Sequence, residues 1–174
     1  SRMFDTDLVD EMQRFAFTHA SRTLRFSTPT FVDYDSDDIR GCTRNSFPAF
    51  SITGPACALD CDHCQAKILA PMIATTTPDM LDRRVRDLIL MQNLQGFLLS
   101  GGSNRRNEIR YDRFLPVIER LKRDHPHLKI AVHTALTDFT RALAMESAGV
   151  DTVMMDVIGA AETIRDVYHL DRPV

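Results

Sequence analysis

Three of the four cysteines in this chain lie close together, with the spacing Cys57-x3-Cys61-x2-Cys64. Three thiolates this close can hold three irons of a [4Fe-4S] cluster and leave the fourth iron open to a small molecule. Thiols so near in sequence cannot easily pair with each other without strain, so the spacing favours a metal over disulfides. The pattern therefore predicts an iron–sulfur site with one open coordination position.

The bulk composition predicts one globular domain. The chain has 174 residues, of which 44% are hydrophobic and 26% are charged. Its 21 basic and 24 acidic residues give a net charge of -3, which argues against a nucleic-acid-binding surface. No stretch approaches the roughly 20 apolar residues of a bilayer span, and the first residues lack the apolar core of a signal peptide. We therefore expect a cytoplasmic protein that binds neither nucleic acid nor membrane.

Apolar periodicity predicts strands that alternate with helices. An amphipathic helix is expected at residues 5–22, and we group it with an irregular connector as an N-terminal region, residues 1–45. The remainder, residues 46–174, has the strand and helix order that is typical of a parallel sheet. The predicted strands are residues 47–54, 96–100, 128–134 and 151–158, and the predicted helices are residues 77–93, 111–124, 138–147 and 160–168.

Polar or glycine-rich residues follow each of the four predicted strands. In parallel sheets the carboxyl ends of the strands meet at one rim, where the functional loops lie. The cysteines follow the first strand and Ser100-Gly101-Gly102-Ser103 follows the second. His133 and Thr134 end the third strand, and Asp156 ends the fourth. We therefore expect these residues to face a common mouth.

The cysteine triplet and the Ser100-Gly101-Gly102-Ser103 segment together resemble the radical S-adenosylmethionine (radical SAM) superfamily. The resemblance implies an α/β fold, a partial parallel (βα) TIM-like barrel with four visible strands. It implies that Cys57, Cys61 and Cys64 ligate a [4Fe-4S] cluster whose open iron binds S-adenosylmethionine. One electron would then cleave the sulfonium, giving methionine and a 5'-deoxyadenosyl radical. The electron would come from a reductant such as ferredoxin or flavodoxin.

The resemblance also implies cofactor contacts around the cluster. The segment at residues 100–103 matches a Gly-Gly-Glu segment whose backbone takes the ammonium of S-adenosylmethionine. Ser103 stands where the acid is common, and its hydroxyl can still accept a hydrogen bond. His63 takes the place of an aromatic residue that meets the adenine, and imidazole can stack there. At the rim, Asp156 suits a ribose hydroxyl or a helix cap, and His133 suits the cofactor or neighbouring backbone groups.

More narrowly, residues 51–54, the cysteine segment and residues 68–72 are similar to the biotin synthase and lipoyl synthase branch. The closest resemblance is to the two-component lipoyl synthases of archaea and some bacteria. It implies sulfur insertion into an octanoyl chain on a protein, or into a biotin-type precursor. The implied partners are a lipoyl-domain or carrier protein and a second synthase chain. Sulfur would come from a second iron–sulfur cluster, for which Cys42 is the one cysteine left.

Two other classes of function stay open. The chain could be a radical enzyme that makes or methylates a cofactor without sulfur transfer. It could also be a non-catalytic iron–sulfur or zinc module, with His63 or Cys42 as the fourth ligand of a zinc ion, although Cys42 also suits a free thiol. The family barrel has six strands and four are predicted here. We therefore expect a fragment, or a partner chain that covers the open edges of the sheet.

Overall fold

The computed structural model describes residues 10, 14, 47–92 and 94–171. These residues form an α/β fold around one all-parallel sheet. Asp10 and Arg14 are helical and exposed. The rest of the predicted N-terminal region, including Cys42, lies outside the described residues.

The sheet has five strands within the described ranges, one more than the sequence predicted, in the order β2-β1-β3-β4-β5. The additional strand, β2, has only two residues and is therefore too short to show an alternating pattern. It forms because Ile73 pairs with Phe50 of β1, and because the Thr75 N–H donates to the Ser51 carbonyl at 2.9 Å. The strands are β1 (Ala49–Ser51), β2 (Ile73–Ala74), β3 (Gly96–Ser100), β4 (Lys129–Thr134) and β5 (Thr152–Met155).

Two of the predicted strands end earlier than expected. Strand β1 stops at Ser51, where the Ser51 hydroxyl donates to the Gly54 carbonyl at 2.6 Å and Gly54 takes a φ of 60°. Glycine adopts this left-handed backbone without a Cβ clash, so the chain turns there. Strand β5 stops at Met155 because its partner in β4, Thr134, is the last residue of that strand. Asp156 therefore follows β5 directly.

Two of the helices begin at side-chain caps that the sequence carries. The Thr77 hydroxyl accepts a hydrogen bond from the Met80 N–H at 3.2 Å, and the Asp138 carboxylate accepts one from the Arg141 N–H at 2.8 Å. Such caps satisfy N–H groups that have no partner inside the helix. Within the described residues from 47 to 171 the α-helices are α1 (Pro78–Gln92), α2 (Leu115–Asp124), α3 (Phe139–Ser147) and α4 (Ala161–Asp166). None of these helices has the length and apolarity that a bilayer span requires.

The core lies on one face of the sheet. Alternate strand residues point to opposite faces, so Phe50, Leu99 and Val132 share one face, where they are fully buried. Burying one such side chain contributes about 1.5–3 kcal/mol. The opposite face carries side chains that are on the whole smaller and more polar, namely those of Ser51, Leu98, Ser100, Ala131 and His133. The core also includes helix residues from α1, α2 and α3, among them Leu81, Val85, Ile118, Leu121 and Met145.

Candidate functional site

The connections that leave β1 and β3 diverge. Strand β1 leads through residues 52–66, the cysteine loop, towards β2 on one side of the sheet. Strand β3 ends in residues 100–103, the glycine turn, and the chain then continues through α2 to β4 on the other side. In open parallel sheets ligands bind beyond the carboxyl ends of strands, at the point where connections diverge. The topology therefore sets the cysteine loop and the glycine turn beside each other at a favourable place for a ligand.

Hydrogen bonds join the cysteine loop to the glycine turn. The Ala58 N–H donates to the Ser103 carbonyl at 2.9 Å, and the Gly102 N–H donates to the Thr53 hydroxyl at 2.7 Å. The Cys57 thiol also lies 3.7 Å from the Ser103 carbonyl and donates to it. The predicted proximity of the two segments is therefore present in the structure.

Gly102 is required for this close approach. A Cβ at this position would collide with the Ala56 carbonyl and would lie 2.6 Å from Cys57 Cα. At Gly101 a Cβ would lie 2.9 Å from Cγ1 of Ile52. The two glycines thus let the backbone of the turn lie directly against the start of the cysteine loop.

The three cysteines differ in burial. Cys61 is 6% exposed, whereas Cys57 and Cys64 are partly exposed. Burial raises the pKa of the Cys61 thiol, and the neighbouring Cys64 and Cys57 raise it further because nearby thiolates repel each other. A bound cation would favour the thiolate forms.

The donor set fits an iron–sulfur cluster by its chemistry. Cys57, Cys61 and Cys64 are all free of disulfides, and thiolates are the ligands that iron–sulfur clusters and zinc prefer. No group of three or more His, Cys, Asp or Glu side chains in the described ranges is already arranged to hold a metal ion. Cys42, the predicted ligand of a second site, is not among those ranges.

Residues 167–170, which we call the docking segment, follow α4 and lie against the cysteine loop. The Asp62 N–H donates to the Val167 carbonyl at 3.0 Å, and the Cys61 thiol donates to the Tyr168 carbonyl at 3.8 Å. These partners are far apart in sequence. No pattern in the sequence indicates this contact, because it depends on where α4 ends in space.

Side chains strengthen the contact between the docking segment and the cysteine loop. His169 Nε2 lies 2.8 Å from Asp62 Oδ1, and the rings of Tyr168 and His63 are 4.8 Å apart at an angle of 51°. Burial raises the pKa of Tyr168, and the negative charges of Asp156 and two of the cysteines raise it further. Tyr168 therefore belongs to the candidate site, although the sequence did not indicate it.

The other predicted rim residues lie at the ends of β3, β4 and β5. Ser100 is buried and shares the polar sheet face with His133, whose Nε2 is 3.9 Å from Asp156 Oδ2. Asp156 does not cap α4, because the cap residue is Ala160 and no side chain bonds to the start of that helix. The Thr134 hydroxyl is buried and has no hydrogen-bond partner within the described part of the chain.

The structure thus brings together most of the predicted site residues, with the cysteines and the glycine turn in direct contact. His63 contacts Tyr168, and His133 lies near Asp156. No protein-family model matches the chain, and no curated protein matches it either.

Proposed function

We propose that the chain is a radical S-adenosylmethionine enzyme of the sulfur-inserting biotin synthase and lipoyl synthase type. The observation that carries the proposal is the direct contact between the cysteine loop and the glycine turn, through Ala58 and Ser103 at 2.9 Å. This contact joins the predicted cluster ligands to the predicted ammonium site. Both lie beyond the carboxyl ends of the strands, which is where ligands bind in parallel sheets.

Cys57, Cys61 and Cys64 would hold a [4Fe-4S] cluster. When bound and reduced, the cluster supplies the electron that splits S-adenosylmethionine into methionine and a 5'-deoxyadenosyl radical. The chain's own contribution is to bind, to orient and to exclude water. The burial of Cys61 keeps water away from one side of the cysteine loop.

Ser103 is suited to hold an ammonium group. Its carbonyl already accepts a hydrogen bond from the Ala58 N–H, whereas its hydroxyl makes none within the described residues. A serine hydroxyl can accept a hydrogen bond from an ammonium without the strength that a carboxylate adds. Asp156 is 60% exposed in its side chain, and its carboxylate is free to accept hydrogen bonds from ribose hydroxyls.

The fold and partners follow from the same proposal. The five parallel strands would belong to a (βα) barrel, with the polar sheet face that carries Ser100 and His133 as part of its interior. An electron donor such as ferredoxin or flavodoxin is required, and sulfur insertion would add a carrier protein and a second cluster. Free thiols that bind iron need a reducing compartment such as the cytoplasm.

Anaerobic reconstitution with iron and sulfide tests the cluster. We expect about four irons and four sulfides per chain, and about eight if a second cluster forms. Replacing Cys57, Cys61 or Cys64 with serine should reduce iron loading several-fold, since each removes one ligand. Cys42→Ser is the matched control and should keep the first cluster. One zinc per chain in place of the cluster, or full loading of all three serine variants, would contradict the proposal.

A further inference from the structure

We propose that Tyr168 is a positioning residue for S-adenosylmethionine, because its ring orients His63 and the segment that carries it holds the turn that contains His63. The inference rests on the function proposed above. It assigns a role to a residue that is 107 positions away in sequence from Cys61, which it contacts in the cysteine loop. Three features of the structure carry it.

The first feature is that the end of α4 fixes the position of Tyr168. The Tyr168 N–H donates to the Thr163 carbonyl at 3.2 Å, and the Leu170 N–H donates to the Ile164 carbonyl at 3.0 Å. Ile164 and Leu170 are both buried, so they anchor the segment on either side. His169 has a φ of 54°, which turns the chain sharply at this point. Tyr168 is therefore held by its neighbours on both sides.

The second feature is the packing of the Tyr168 ring on His63. His63 is exposed, and its imidazole would sample several rotamers if nothing packed against it. The Tyr168 ring lies 4.8 Å away and is tilted by 51°, within the usual range for ring pairs. This contact holds the imidazole in one orientation before a ligand arrives. A group that is already oriented loses less entropy when it binds.

The third feature is that the same segment holds the turn that contains His63. The Val167 carbonyl accepts a hydrogen bond from the Asp62 N–H at 3.0 Å, and His169 Nε2 lies 2.8 Å from Asp62 Oδ1. Cys61, Asp62 and His63 are consecutive in sequence. Tyr168 therefore sets the direction of the imidazole ring, while its neighbours Val167 and His169 hold the backbone that carries the ring.

The test is the affinity of the reconstituted protein for S-adenosylmethionine, measured by anaerobic equilibrium dialysis. Tyr168→Phe keeps the ring and should bind like the parent. Tyr168→Leu keeps apolar volume but loses the ring pair, and it should weaken binding on the order of tenfold while iron loading stays unchanged. The change in the electron paramagnetic resonance spectrum on adding S-adenosylmethionine should shrink in the Leu variant alone. Equal affinity of the Leu variant and the parent would overturn the inference.

A double-mutant cycle tests whether Tyr168 acts through His63. In a His63→Ala background, Tyr168→Leu should weaken binding no further, because the ring that it orients is gone. A full additional loss would overturn the coupling.

Asp60 offers a matched control for the docking segment. Asp60 and Asp62 flank Cys61, and Asp62 pairs with His169, whereas the Asp60 side chain forms no hydrogen bond or ion pair within the described ranges. Asp62→Ala should weaken binding several-fold more than Asp60→Ala does. Equal losses would show that charge near the cluster is responsible, which would overturn the role of the segment.

A parent protein that takes up no four-iron cluster would overturn the proposed function as well, whereas a loaded parent with an unaffected Leu variant would overturn the Tyr168 inference alone.

Discussion

At the scale of single residues, the site depends on positions where one added atom would displace the backbone. Gly102 is such a position, because its Cα lies against the peptide that joins Ala56 to Cys57. The glycine is therefore needed for packing, besides any role of its backbone in binding an ammonium group. The sequence suggested only the second of these two roles.

Gly102→Ala should destabilise the protein and impair cluster loading. The added Cβ would meet backbone atoms, which cannot rotate away as a side chain does, so we expect a loss of about 1–3 kcal/mol in the free energy of unfolding. Urea unfolding and iron content after reconstitution measure both effects. Gly159→Ala is the matched control, because a Cβ there meets no atom within 4 Å. We expect the control to change stability by no more than about 0.5 kcal/mol, and an equal loss in the two variants would contradict the packing argument.

At the scale of elements, a buried tyrosine ties the ends of two strands together. Tyr111 precedes α2 and is 2% exposed. Its hydroxyl donates to the His133 carbonyl at 2.6 Å and lies 3.4 Å from the Leu99 carbonyl. Burial raises the pKa of this phenol well above its usual value. The bond therefore positions the backbone of His133 at the rim.

Tyr111→Phe should lower the free energy of unfolding by about 1–2 kcal/mol, because it removes the hydrogen bond to the His133 carbonyl. The raised pKa means that the neutral phenol stabilises the fold below the unfolded-state pKa. That contribution is lost as the pH rises above about 10. Urea unfolding at neutral and alkaline pH measures both effects. At neutral pH Tyr168→Phe is the control, since its hydroxyl makes no hydrogen bond within the described residues, and a similar loss there would contradict the prediction.

Local signals explain which elements the sequence could predict. The predicted range of β3 is confirmed, and β4 and the starts of α1 and α3 are confirmed within one residue. Periodicity and capping residues lie within these segments themselves. The missed features depend on distant partners: β2 exists because Phe50 pairs with Ile73, and β5 ends where Thr134 ends β4.

The candidate site divides in the same way. The cysteine spacing and the glycines are local patterns, so the sequence predicted them and the structure places them in contact. Tyr168 belongs to no local pattern, and its position depends on how α4 packs and ends. Of the two roles that the sequence left open for Asp156, the helix cap is wrong, because the chain runs irregularly from β5 to Ala160.

At the scale of the whole molecule, Asp151 joins three elements at the edge of the sheet opposite the cysteines. Its carboxylate accepts hydrogen bonds from Lys122 of α2 at 2.8 Å and from the Ile130 N–H of β4 at 2.9 Å. Lys129 of β4 adds a third at 3.2 Å. Burial raises the pKa of Asp151, but these hydrogen bonds and charges outweigh it and lower the pKa overall.

Asp151→Asn should lower the free energy of unfolding at neutral pH by about 1–2 kcal/mol. It should also make this free energy less dependent on pH in the acid range. A lowered pKa means that the ionised carboxylate stabilises the fold above the unfolded-state pKa. That contribution is lost as the pH falls below about 4. Thermal unfolding between neutral pH and pH of about 3 measures the difference. Asp87→Asn on the exposed face of α1 is the control, and an equal change in both variants would contradict this account.

The central claim is that the cysteine loop and the glycine turn form a site that cleaves S-adenosylmethionine reductively. The most direct measurement is 5'-deoxyadenosine formed from S-adenosylmethionine by the anaerobically reconstituted protein with dithionite. We expect 5'-deoxyadenosine and methionine in equal amounts, and a loss of at least about a hundredfold on Cys61→Ser because a cluster ligand is removed. The absence of 5'-deoxyadenosine from a protein that carries four irons and reduces with dithionite would contradict the claim.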